Sequence, residues 1–158
     1  MKRVTLVTAV LMVLVAVPAR ADVTLFLGAN TTPANRSVRG GAVGIDLLIV
    51  AFEGEYAFTP DDPSALAPSL RTGSGNILLQ TPFAILGFQP YFTTGGGVYW
   101  ETLGTHEDTS VALNTGGGVK VSLIGPLRLR VDYRVFKLGS GALYSPAHRI
   151  YAGLNLKF

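Results

Sequence analysis

Leu127-Arg128-Leu129-Arg130-Val131-Asp132-Tyr133-Arg134-Val135 is the stretch on which the reading of this chain turns. Every odd position is apolar or aromatic and every even position is charged. A period of two makes two clean faces only in an extended strand, whereas a helix would scatter the same residues around its circumference. The segment therefore belongs to a sheet with one apolar face and one face that takes Arg128, Arg130, Asp132 and Arg134.

The same alternation recurs on both sides of this segment. Val23, Leu25 and Leu27 alternate with Thr24, Phe26 and Gly28, and Val43, Ile45 and Leu47 with Gly44, Asp46 and Leu48. Glu53 and Glu55 share a face opposite Phe52 and Tyr56. Eight strands are expected, at about 22–29, 40–48, 50–58, 71–80, 88–101, 110–121, 127–136 and 149–158. Between them, the polar segments 30–39, 59–70, 102–109 and 137–148 read as long connections, and those near 49, 81–87 and 122–126 as short ones. Long and short connections then alternate, as in an up-and-down barrel with both termini at the end of its short turns. Leu47-Leu48-Ile49-Val50 lacks Gly, Asn, Asp and Pro, so its hairpin has no turn chemistry to support it.

The N-terminus reads as an export signal. Lys2 and Arg3 precede an apolar run from Val4 to Val17, and Pro18-Ala19-Arg20-Ala21 supplies the small residues Ala19 and Ala21 of a cleavage site. Residues 1–21 are thus expected to be a secretory signal peptide and 22–158 one barrel domain. The run of roughly 14 apolar residues is short of the ~20 that a spanning helix needs. The whole chain of 158 residues carries a formal charge of +3. Lys2, Arg3 and Arg20 account for that excess, and residues 22–158 hold ten bases and ten acids. A nucleic-acid partner loses its electrostatic basis. With no Cys, neither a disulfide scaffold nor a thiolate metal site is available.

Which face is wet decides between two kinds of barrel. A soluble lipocalin-like carrier places apolar residues inside, whereas a membrane barrel places them outside around a polar interior. The charges favour the second arrangement. Asp46, Glu53, Glu55, Glu101, Lys120, Arg128, Arg130, Asp132, Arg134 and Lys157 fall on faces that can meet in a lumen, where pairing is needed because a lone buried charge is costly. The opposite faces carry Val, Leu, Ile, Phe, Tyr and Trp100 almost without a charge. Tyr56, Phe58, Trp100, Phe136, Tyr144 and Phe158 lie near strand ends, where aromatic girdles form. Arg71 is read as a loop residue. The fold expected is all-β, an eight-stranded antiparallel up-and-down transmembrane barrel.

Several motifs invite chemistry and give little of it. Thr-Gly-Gly-Gly-Val occurs at 94–98 and 115–119, but no Lys-Ser/Thr follows, so the glycines read as bending points that leave lumen room for Tyr91 or Arg130. His106-Glu107-Asp108 reads as a solvated acidic loop rather than a cation site, because three adjacent loop residues rarely complete a coordination shell. His148 stands near Ser145 without an evident carboxylate. No enzyme activity, cofactor or metal is expected.

The last residues supply a more specific pattern. In Arg149-Ile150-Tyr151-Ala152-Gly153-Leu154-Asn155-Leu156-Lys157-Phe158, the residues Tyr151, Gly153, Leu156 and Phe158 resemble the terminal targeting signal of bacterial outer-membrane barrels. With the signal peptide and eight alternating strands, the chain resembles small outer-membrane barrels of the OmpA/OmpX type. That resemblance implies location in the outer membrane, contact with its lipid and lipopolysaccharide, and insertion by the barrel-assembly machinery. It also leaves room for an extracellular ligand at four outward loops. A periplasmic peptidoglycan-binding domain, and cell-wall tethering through one, are not expected. The role expected is structural or adhesive, with a narrow channel for ions or small solutes as the alternative, and a soluble carrier as a third reading.

Overall fold

The computed structural model describes residues 19–158. Its strands are β1 (Arg20–Asn30), β2 (Arg36–Leu47), β3 (Val50–Thr59), β4 (Ser69–Gln80), β5 (Phe88–Leu103), β6 (His106–Ser122), β7 (Leu127–Leu138) and β8 (Ala147–Lys157). Each pairs antiparallel with the next, and β1 pairs with β8 from Asp22↔Lys157 to Asn30↔Arg149, closing an up-and-down barrel without a free edge. Most of the expected signal peptide lies outside the described residues. Of its cleavage residues, Ala19 precedes β1 and Ala21 lies within it. Ala21 exchanges two backbone hydrogen bonds of 2.9 Å with Phe158.

The connections correct the expected alternation of long and short loops. At the end opposite the termini, 31–35, 60–68 and 139–146 are open loops, but β5 and β6 run on through the polar residues to a two-residue turn at 104–105. The register there is Leu103↔His106 and Glu101↔Asp108. Ladder bonds need no apolar side chains, and Gly104 supplies the positive φ of 60° that the tight turn requires. At the terminal end, 81–87 is longer than 31–35. The β2–β3 hairpin closes through Leu48-Ile49, with Leu47↔Val50 in register and Leu48 forced to a φ of 53°. Barrel closure sets that turn despite its residues.

Polarity across the sheet is sharp. Outward positions such as Leu25 (69% exposed), Ile45 (52%) and Leu113 (57%) are apolar, while the inward Arg130 and Arg134 are fully buried at 0%. The interior is not uniformly polar, however. Leu70, Tyr99, Ala112, Phe136, Leu138 and Ala147 form an apolar cluster at the far end of the lumen. Phe136 therefore points inward and is not a girdle residue, whereas Tyr56, Trp100 and Phe158 are exposed. Arg71 is not in a loop either, since it projects outward from β4.

Both glycine triplets lie on adjacent strands, with Thr94 opposite Thr115. Room is what they provide. A Cβ on Gly118 would lie 2.8 Å from Cζ of Tyr91, and one on Gly116 would come 3.0 Å from Cγ of Arg134. Tyr91 and Arg134 fit because their cross-strand partners, Gly118 and Gly116, carry no side chain.

Candidate functional site

The lumen is the most chemically dense part of the molecule, and strand parity explains which residues enter it. On β7, Arg128, Arg130, Asp132 and Arg134 all point inward. On β3, Glu53 and Glu55 do so, and β1, β2 and β6 add Asp22, Asp46 and Lys120. Acids thus collect on β1–β3 and bases on β6–β8, with Asp132 among the bases. Opposite signs face each other across the barrel axis.

Two layers of ion pairs result. Near the terminal end, Lys120 Nζ lies 3.0 Å from Asp22 Oδ2 and 3.5 Å from Asp46 Oδ1. Lys157 and Arg128 reach Asp46 at 3.3 and 3.9 Å. The Arg128 guanidinium donates from each of its three nitrogens, to Asn155 Oδ1 at 2.8 Å, Gln89 Oε1 at 3.0 Å and Asp22 Oδ2 at 3.3 Å. Above this layer opens a cavity of about 650 Å³ toward the terminal end, bordered by Arg20, Asp46, Gln80, Arg128 and Lys157.

The second layer fills mid-barrel. Arg130 donates to Glu53 through both terminal nitrogens, to Asp132 Oδ2 at 3.0 Å and, from Nε, to the Tyr91 hydroxyl at 2.7 Å. Tyr91 in turn donates to Asp132. Arg134 reaches Glu53 at 2.8 Å, Glu55 at 3.2 Å and Asp132 at 3.0 Å. Toward the far end, Arg149 donates to Glu55 at 3.1 Å and to Thr72 Oγ1 at 2.9 Å, with its guanidinium 4.3 Å above the Phe136 ring. Tyr151 stacks on Phe26 at 4.0 Å and donates to Glu55 at 3.1 Å. Charge-assisted bonds this numerous compensate the desolvation that makes a lone buried charge so costly.

Nine of the ten charges singled out from sequence meet in these layers. Glu101 stands apart at the far end, accepting from the Leu143 N–H at 2.8 Å, with His106 Nε2 at 3.4 Å. Sequence reasoning passed over Asp22, Arg149 and the Tyr91 and Tyr151 hydroxyls. Within the expected strands 22–29 and 149–158, parity with Thr24 turns Asp22 inward and parity with Tyr151 turns Arg149 inward. The residues of the expected terminal signal divide between faces, with Tyr151 and Gly153 inward and Leu156 and Phe158 outward.

The remaining candidates are occupied by local contacts. The Tyr99 hydroxyl donates to Asp108, and His148 Nδ1 lies 2.7 Å from the Tyr133 hydroxyl. Ser145 Oγ accepts from the Leu138 N–H at 3.0 Å and donates to its carbonyl at 3.3 Å. Among the described residues, no group of three or more His, Cys, Asp or Glu side chains is placed to hold a metal ion.

No protein-family model and no curated protein matches the chain. Solved structures do. The N-terminal β-barrel domain of Pseudomonas aeruginosa OprF is similar with a TM-score of 0.65 at 15% identity, covering 88% of this chain and 97% of that one. Neisserial surface protein A (NspA) gives 0.64 at 18%, over 89% and 96%. The Yersinia pestis outer membrane protein Ail, in a phospholipid bilayer nanodisc, gives 0.55 at 11%, over 89% and 100%. Identities this low establish a shared fold.

Proposed function

We propose that this chain is an outer-membrane β-barrel of the bacterial cell envelope with a structural or surface-interaction role. The observation that carries the reading is the polarity of the sheet, apolar residues outside and a hydrogen-bonded charge network inside. In hydrocarbon every backbone polar group needs an internal partner, and a closed barrel provides one. The similar structures, a surface protein and an outer membrane protein among them, support the same location. A soluble carrier needs the reverse polarity.

In this reading residues 1–21 direct export, Asp22 becomes the first residue of the barrel, and the terminal strand with Phe158 engages the assembly machinery. The surrounding partners are outer-membrane lipid and lipopolysaccharide. The charged layers act as a plug that ties opposite walls together, and the loops of the far end face the outside. Fractionation of expressing cells tests the location. The protein is expected with the outer membrane and with a mobility that changes on boiling; recovery in the soluble periplasmic fraction would overturn the reading. Planar-bilayer recording separates plug from channel, and no steady conductance is expected, since side chains fill so narrow a lumen.

A further inference from the structure

Outward-facing charge is scarce on the strands, and two of its instances converge on one ring. Arg39 on β2 and Arg71 on β4 are the direct cross-strand partners of Phe58 on β3. Their guanidinium carbons lie 5.3 and 5.5 Å from the ring centroid. Two strand spacings, about 10 Å, separate their backbones, so the ring gathers two like charges that would otherwise stay apart. Neither makes an ion pair among the described residues. In a chain whose other strand cations are largely paired in the lumen, this pair lacks a counter-ion.

Directly toward the terminal end of Arg39 runs an apolar groove of about 920 Å³ on the outer face of β7, β8, β1, β2 and β3. The small residues Gly41 and Ala152 form part of its floor, and Leu25, Leu27, Tyr56 and Leu154 rise beside them. From Val23 to Leu27 it follows β1 for roughly 14 Å. The groove ends at Arg39 and Phe58, so an apolar channel and an unneutralised double cation are continuous.

We infer that this surface is a seat for one phosphate-bearing lipid, with an acyl chain in the groove and its phosphate between Arg39 and Arg71. Guanidinium forks match phosphate oxygens in paired, charge-assisted hydrogen bonds, and stacking on Phe58 holds both forks ready at no further ordering cost. The position is consistent in depth: Tyr56 and Val43 lie toward the middle of the barrel and Ser37 beyond, so the two arginines stand where hydrocarbon gives way to headgroups. The inference rests on the membrane reading above and specifies one lipid contact within it.

The test uses the refolded barrel in detergent micelles, titrated with diphosphoryl lipid A or its fully dephosphorylated form, with bound lipid counted by native mass spectrometry. The wild type is expected to retain the phosphorylated form about tenfold better. R39Q/R71Q should lose that preference, and each single variant part of it. A152F, which fills the groove, should lower retention. K137Q, which removes an outward cation of the same end away from Phe58, should retain lipid A as the wild type does. Equal retention of both lipids by the wild type, equal loss in K137Q, or full retention in A152F would each overturn the seat. So would displacement of the lipid by inorganic phosphate at equal concentration, because the groove would then contribute nothing. Each sample is also run boiled and unboiled. A wild type without a heat-dependent mobility refutes the membrane reading, whereas a normal heat shift with no lipid preference refutes only the seat.

Discussion

Arg130 and Glu53 join opposite walls of the barrel. Their strands, β7 and β3, are four apart in either direction around the eight, and Arg130 Nη2 lies 3.2 Å from Glu53 Oε1. The pair is a strut across the full diameter, and Arg130 is completely buried. Replacing Arg130 by an acid sets a third carboxylate beside Glu53 and Asp132 with Arg134 left to neutralise them, at a cost of about 3–5 kcal/mol. Arg130→Glu should therefore destabilise the refolded barrel by at least that amount in urea titration, while Arg71→Glu on the outer face should cost under about 1 kcal/mol. Equal midpoints for the two variants would sink the strut.

Interior glycines make a second, steric prediction. Gly118→Ala drives a methyl carbon against the Val131 carbonyl oxygen and the Tyr91 hydroxyl and should cost at least about 1–3 kcal/mol, because backbone in a packed interior cannot shift freely. Gly75→Ala, with nothing within 4 Å, should be neutral or stabilising by up to about 1 kcal/mol. Unfolding midpoints of the two variants give the comparison directly.

The β2–β3 turn holds Leu48 at a φ of 53°, a region a branched side chain adopts only under strain of about 1 kcal/mol or more. Leu48→Gly should relieve that strain and raise stability by about 1 kcal/mol. If refolding yield and unfolding midpoint fall instead, the side chain contributes more through its surroundings than its backbone costs.

Loop 60–68 is pinned from two sides. Arg36 donates to the carbonyls of Pro60 (3.1 Å), Pro68 and, from the neighbouring loop, Thr32 (3.0 Å). Asp62 caps a short turn at Pro63–Ala65. Its carboxylate accepts from the Ser64 hydroxyl at 2.6 Å and from the Ser64 and Ala65 amides, which holds its pKa below the usual carboxylate range, the Ser64 hydroxyl contributing most. A depressed pKa means that this contribution is complete above the ordinary carboxylate pKa and is lost as pH falls through the lowered one. Carboxyl NMR should show the low titration of Asp62, moving back toward the ordinary value in Ser64→Ala. Arg36→Gln should make the loop the first site of limited proteolysis.

Much of this fold was legible in alternation alone. The nine residues from Leu127 to Val135 divide β7 cleanly into an apolar and a charged face, but which of the two faces the lumen was legible only from the charges on the other strands. The His106-Glu107-Asp108 segment misled for a related reason. Its residues lack an apolar face, yet backbone pairing carries β6 through them, and ladder bonds leave no trace in side-chain pattern. Asp22 and Arg149 were missed although the expected strands 22–29 and 149–158 contain them, because their faces also carry the aromatic Phe26 and Tyr151 and so do not read as polar. The Arg39–Phe58–Arg71 row depends on the register of three strands, and no local spacing of 39, 58 and 71 announces it.

The distribution of interior charge has a consequence for how many strands can close. Acidic walls come from the first three strands and basic walls from the last three. A sheet half made of β1–β4 meets its complement only in β5–β8 of the same sequence, since two copies of the early half would set carboxylate against carboxylate, and two late halves arginine against arginine. Sign thus acts as a counting rule: one chain, used once, is the assembly that sets an acidic wall against a basic one.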